Sequence, residues 1–176
     1  MFEYRFNVST LLQEPTGSTR HYELNDERLE LGEGLVVKPV QGPVHFTRTI
    51  KGVLADVAPH GIVNLECGRC LTPVHQELRF PFSEEFYQTV MVANGAALPP
   101  PEEPDVFLID ELHKLDLEPA MREYALLNLP MLPLCQDDCK GLCPQCGVNR
   151  NETTCNCEDD VVDERLAALK NLLDKF

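Results

Sequence analysis

The sequence predicts an α+β protein: a curved antiparallel sheet or open β-barrel, then a helix, a cysteine-rich segment and a C-terminal helix. Three observations predict it. Apolar residues alternate with period two through much of residues 1–93. The period becomes helical after residue 106, and six of the eight cysteines crowd into residues 135–157.

The first half of the chain, residues 1–93, is expected to form the β-rich half of a single domain and to carry a CxxC hairpin. In "FEYRFNVS", Phe2, Tyr4, Phe6 and Val8 alternate with Glu3, Arg5 and Asn7, the pattern of a half-buried strand. "VHFTRTIKGVLADV" continues it through Val44, Phe46 and Ile50, with Gly52 expected at a bulge or kink. "GIVNLECGRC" and "VHQELRFPFSEEFY" read as a strand pair joined through "CGRCLTP". "NGAALPPPEEPD", residues 94–105, has little to bury and is expected to be a flexible proline-rich acidic loop.

Residues 106–134 form a helical segment, with Leu117, Met121, Tyr124 and Leu127 or Asn128 on one face. Asp116 is the expected N-cap, Pro119 is tolerated in a first turn, and Pro130 ends the helix. Residues 135–176 carry the cysteines and a closing helix, in which Val162, Leu166, Leu169 and Leu172 or Leu173 make an apolar stripe after Asp160.

With 176 residues and 43% hydrophobic side chains, the chain has enough to fill a core without disulfides. A formal net charge of −14 opposes loose binding to phosphate backbones and favours basic protein partners. No basic start followed by a long apolar run marks a signal peptide, and the apolar runs are far shorter than the roughly 18 residues of a membrane span. A cytoplasmic chain with no membrane association is therefore expected, in a reducing compartment where clustered cysteines serve as metal ligands more often than as disulfides.

"CPQCG" has the form of a zinc knuckle: two thiolates two residues apart grip one ion, and the small residue after the second allows the tight turn. "CNC" adds two sulfurs, so Cys143, Cys146, Cys155 and Cys157 make a first expected quartet. Cys67, Cys70, Cys135 and Cys139 can make a second if "CGRC" meets "CQDDC". Spacing leaves shuffled quartets open, such as Cys67, Cys70, Cys143 and Cys146, and leaves Cys135 or Cys139 open as free thiols. The expected cofactor is one or two Zn2+ ions. A fully thiolate-bound zinc leaves a local charge of −2, which attracts Lys140 and Arg150. All-cysteine sites have no open position for substrate, so their role is structural.

A catalytic site does not assemble from the rest. The five histidines are scattered, the serines lack a nucleophile-elbow context, and no glycine-rich phosphate loop occurs. A redox CxxC normally opens a helix after a strand, whereas Cys67 ends a strand and "LTP" after Cys70 reads as a turn.

Together, "ECGRCL", "FPFSEEF", "LNLPMLPLC" and "CKGLCPQCG" resemble the YceD family, described as large ribosomal RNA subunit accumulation proteins, in the order of parts over most of the chain. The resemblance implies a non-enzymatic role supporting accumulation of that RNA, with metal and nucleic-acid binding. Two departures stand out: Asp163-Glu164-Arg165 where the family has Asp-Pro-Arg, and Asn149-Arg150-Asn151 where it has Asn-Leu-Asn.

Three functions are in competition. The first is a zinc-stapled ribosome assembly factor touching rRNA or a pre-ribosome through Arg69, Lys140 and Arg150. The second is an acidic module that holds a basic ribosomal protein, and the third a thiol-disulfide protein using Cys67 and Cys70. None takes a small-molecule substrate at a preformed site.

Overall fold

The computed structural model describes residues 4–26 and 28–157. The chain forms two compact units: Met1–Leu65 with Val74–Met131, and Glu66–Pro73 with Leu132–Phe176. Among the described residues, no helix is long and apolar enough to cross a membrane.

The first unit is built on an open, curled sheet. Its strands are β2 (Thr19–Asp26), β3 (Leu29–Gly32), β4 (Leu35–Val37), β5 (Val40–Arg48), β6 (Gly52–Val57), β7 (His60–Glu66), β8 (Pro73–Arg79), β9 (Phe82–Gln88) and β10 (Phe107–Ile109). They run in the order β10-β9-β6-β5-β7-β4-β3, with β2 on β5 and β8 on β7. A separate ribbon pairs β1 (Arg5–Asn7) with β11 (Lys114–Asp116).

β5 organises this sheet. β2 takes one edge along residues 19–26, while the other edge is shared between β6, opposite Val44 to Arg48, and β7, opposite Gln41. The chain therefore turns a corner at Ala58-Pro59 against β5. Gly42 stands where a Cβ would lie 2.3 Å from the Ala58 carbonyl oxygen, so only glycine admits the approach.

Inward residues follow the period-two pattern: Val40, Val44 and Phe46 on β5, Val53, Ala55 and Val57 on β6, and Phe82 and Phe86 on β9 are all buried. Helix α2 (Glu118–Leu127) adds Ala120, Met121 and Ala125 to the same core. Its Tyr124 ring stacks on Phe82 at 5.0 Å, and Arg122 Nε donates to the Leu31 carbonyl at 3.1 Å. Single large side chains in such a core each contribute about 3–5 kcal/mol against truncation to alanine.

Several expectations change in detail. The first strand is shorter than its pattern. Tyr4 and Val8 are buried as expected, but a short helix, α1 (Ser9–Leu12), follows at once. Gly52 is no bulge: it opens β6 beside β9, where a Cβ would meet the Phe86 carbonyl oxygen at 1.9 Å. "VHQELRFPFSEEFY" is two strands, because Pro81 has no N–H to continue a ladder, and the second strand pairs with β6. The N-cap of α2 is Leu117; Asp116 instead accepts from the Glu118 N–H at 3.0 Å, serving the same end of the helix. Residues 98–106 carry no regular structure beyond one bridge at Ala97 before them. The closing helix expected from Asp160 lies outside the described residues.

Candidate metal centres

The described part of the second unit buries little that is apolar apart from cysteine. Among its described residues, the buried side chains are Cys67, Cys70, Cys139 and Cys143. Its order comes from tight turns around sulfur.

"CGRC" follows β7. Leu71 donates to the Cys67 carbonyl at 2.9 Å and Cys67 donates to the Thr72 carbonyl at 2.9 Å, with Leu71 at φ 60. Gly68 donates to the Pro133 carbonyl at 2.8 Å, and a Cβ there would lie 2.3 Å from Leu132 Cδ1. That close crossing carries the chain from Leu132 into Cys135 beside the first loop.

"CPQCG" closes on itself. Cys143 donates to the Val148 carbonyl and Gly147 to the Cys143 carbonyl, both at 2.8 Å, with Gly147 at φ 73. This is the turn a knuckle requires, and the left-handed backbone at Gly147 is open to glycine at little cost.

The sulfurs gather in two groups of four: Cys67, Cys70, Cys135 and Cys139, and Cys143, Cys146, Cys155 and Cys157. Within each group all four Sγ atoms lie within 4.8 Å of one another. Cys67 Sγ is 3.8 Å from Cys139 Sγ, and Cys70 Sγ is 3.5 Å from Cys135 Sγ. A tetrahedral ion with bonds of about 2.3 Å sets its sulfurs about 3.8 Å apart, so both donor chemistry and spacing fit a metal ion. Each group can hold one. Every cysteine is a free thiol rather than a disulfide.

The thiols are electrostatically unequal. Burial pushes Cys67 up, but backbone N–H donors at Arg69, Cys70 and Cys135 outweigh it and bring the thiol down to about 6. Backbone donors at Cys146 and Gln145 likewise bring Cys143 down to about 6, against burial. The Thr72 hydroxyl lowers Cys70. In contrast, Cys135 is pushed up to about 12, first by the Cys70 thiol and then by burial, and Cys157 to about 12, first by the Cys146 thiol. Without an ion, each group keeps some protons because four thiolates repel; a divalent cation removes that conflict.

The basic residues face inward as much as outward. Arg69 Nη1 donates to the Cys139 carbonyl at 2.9 Å, and Arg150 Nη2 approaches Cys143 Sγ at 3.7 Å. Lys140 is exposed. All three meet around Gly141: Leu142 donates to the Arg69 carbonyl at 3.1 Å, and Arg150 donates to the Gly141 carbonyl at 3.0 Å.

Three supporting residues escape a reading based on cysteine spacing. Asn151 Nδ2 reaches Cys139 Sγ at 3.3 Å while its Oδ1 accepts from the Lys140 N–H at 2.8 Å. Asn149 Nδ2 spans to Thr72 Oγ1 at 3.4 Å, and Cys70 Sγ lies 3.2 Å from the same hydroxyl. These polar links orient the sulfurs as second partners commonly orient metal ligands. Their sequence signal is the pair of asparagines following the knuckle.

Over residues 55–173 the chain matches the family described as large ribosomal RNA subunit accumulation protein YceD. An uncharacterised protein of Mycobacterium bovis is 39% identical over 84 residues, covering 47% of this chain and 38% of that protein. One from Mycobacterium leprae is 26% identical over 151 residues, covering 82% and 66%. A chloroplastic YCED homologue of Arabidopsis thaliana, whose name carries the same accumulation role, is 24% identical over 169 residues, covering 78% of this chain and 50% of that protein. The match with the Mycobacterium bovis protein thus spans well under half of that protein's length. No solved structure matches the chain. The match over residues 55–173, more than half of the chain, places it in the YceD family.

Proposed function

We propose that the protein is a non-enzymatic, zinc-stapled factor that supports accumulation of large-subunit ribosomal RNA, acting in ribosome assembly. The observation that carries this reading is the construction of the second unit: its eight cysteines gather four and four, and its buried side chains among the described residues are four of those cysteines. Zinc held by four thiolates has no open coordination position, so the two ions replace a hydrophobic core instead of performing chemistry.

Arg69, Lys140 and Arg150, whose main chains meet at Gly141, are the side chains we assign to contact a phosphate backbone, against the acidity of the chain as a whole. The experiment is a titration of zinc-loaded protein against large-subunit rRNA fragments across a salt series, beside the ratio of large- to small-subunit rRNA in cells depleted of the protein. Salt-dependent binding and a fall in that ratio are expected. A ratio unchanged by depletion overturns the reading. The net charge of −14 favours a second reading, in which the acidic surface holds a basic ribosomal protein. Recovery of such a protein at low ionic strength and its loss at high salt would distinguish that reading.

A further inference from the structure

Far in sequence from the cysteines, on the outward face of the sheet, four polar residues form one row across four strands. His21 on β2 faces His45 on β5, His45 faces Asp56 on β6, and Asp56 faces Ser83 on β9. All four are exposed. The two imidazoles meet edge to face at 4.4 Å between ring centroids, and their Nδ1 atoms point at each other across 2.7 Å. Glu23 lies two residues along β2 from His21, on the same face and opposite Pro43, diagonal to His45.

Neither the fold nor an RNA-related role requires two imidazole nitrogens to converge on a solvated surface. Only one of two such nitrogens can carry the hydrogen between them, so the pair is a donor facing a bare lone pair. When the donor shifts its hydrogen to Nε2, both Nδ1 lone pairs face the same point and no proton need leave the pair.

We propose that His21 and His45 form a surface site for a divalent transition-metal ion of tetragonal preference, Ni2+ or Cu2+, distinct from the cysteine groups. Bonds of about 2.0–2.1 Å place cis nitrogens about 2.8–3.0 Å apart, whereas a tetrahedral ion needs about 3.3 Å. The observed 2.7 Å is a few tenths of an ångström from the cis arrangement, so a small opening of the rings suffices. Two imidazoles with oxygen donors are the ligand set that Ni2+ and Cu2+ favour. Water supplies the oxygen donors in the remaining positions, and Asp56 and Glu23 lie on the same face of the sheet as counter-charge. Asp56 is already oriented, since Ser83 Oγ donates to its Oδ1 at 2.5 Å.

The test uses the full zinc-loaded chain, with six-coordinate Ni2+ as a paramagnetic probe read by amide NMR. Signals of residues 20–22, 44–46 and 56 should broaden at low Ni2+ in the wild-type chain. In His21→Gln and in His45→Gln the same broadening should need at least ten-fold more Ni2+, with the remaining spectrum unchanged. Broadening at residues 66–72 or 135–157 reports the cysteine groups and is scored separately. The proposal is overturned if the strand signals stay sharp at a hundred-fold excess of Ni2+ in the wild-type chain, or if either substitution leaves their broadening unchanged. The wild-type result stands independently of how the variants fold.

Discussion

Arg69 reaches from the first cysteine loop to the main chain of the second, with Nη1 2.9 Å from the Cys139 carbonyl oxygen. A charged donor on a ligand residue's own carbonyl fixes that residue's backbone, as second partners of metal ligands do. Arg69→Gln is expected to weaken zinc at the Cys67, Cys70, Cys135 and Cys139 group about 10-fold or more, leaving the other group unchanged. Competition with a chromophoric chelator measures both. Equal affinity in the variant would show that Arg69 serves some other end.

Lys140 separates metal binding from RNA binding. Its side chain is exposed, so Lys140→Gln should leave zinc affinity unchanged while reducing the salt slope of rRNA binding by about one unit. An unchanged slope would remove Lys140 from the interface.

Chelation should act on one unit and spare the other. The first unit holds Phe46, Phe86, Met121 and the rest of the hydrophobic core, whereas the described part of the second buries only cysteine. Removing metal is expected to abolish amide protection in residues 66–73 and 132–157 while the strands of the sheet stay protected. Simultaneous loss everywhere would mean that the sheet itself depends on metal. Elemental analysis of untreated protein should give two zinc ions per chain, with all eight thiols unreactive until chelation.

Gly52 tests the core without touching the metal. A methyl group there would sit 1.9 Å from the Phe86 carbonyl oxygen, so Gly52→Ala must push β9 away from β6. A loss of about 3 kcal/mol is expected, read as a lower urea midpoint. A midpoint unchanged from wild type would place β9 elsewhere.

Tyr4 sets an alkaline limit. Its hydroxyl donates to the Arg28 carbonyl at 2.8 Å, and burial, followed by Asp26 and Glu118, raises it above the ordinary tyrosine range. A raised value means the folded state holds the proton more tightly. That stabilisation is complete below about pH 10, the ordinary tyrosine value, and is lost as pH rises toward the folded value. Tyr4→Phe should cost about 1–2 kcal/mol at neutral pH and flatten the decline above about pH 10. An identical alkaline slope in the variant would assign the decline to other groups.

The legible parts of the sequence were those with strong periodicity or strong punctuation. β5, β6 and β7 are long enough for alternation to show, and α2 carries its stripe between a proline in the first turn and Pro130. β3, β4, β10 and β11 are three or four residues long, too short for a period to register. β2 was missed because His21, Glu23 and Asn25 outweigh Tyr22 and Leu24 in composition. At the candidate site, CxxC spacing marked Cys67, Cys70, Cys143 and Cys146 as ligands, while Cys135 and Cys139 stayed open as free thiols. Which four meet depends on Gly68 and Gly141 letting three segments cross at van der Waals distance, and pairwise spacing carries no record of that.

The two cysteine groups also differ in how much chain each must draw together. One is local, gathered between Cys143 and Cys157, whereas the other joins residues 72 and 65 positions apart. During synthesis the first loop leaves the exit channel long before its partners, and β8 to α2 must be made while Cys67 and Cys70 wait with their thiols unmatched. An ion bound there then works as a reversible crosslink, restraining a long intervening loop in the unfolded chain much as a disulfide would. Metal supply would thereby govern when a newly made chain is sealed.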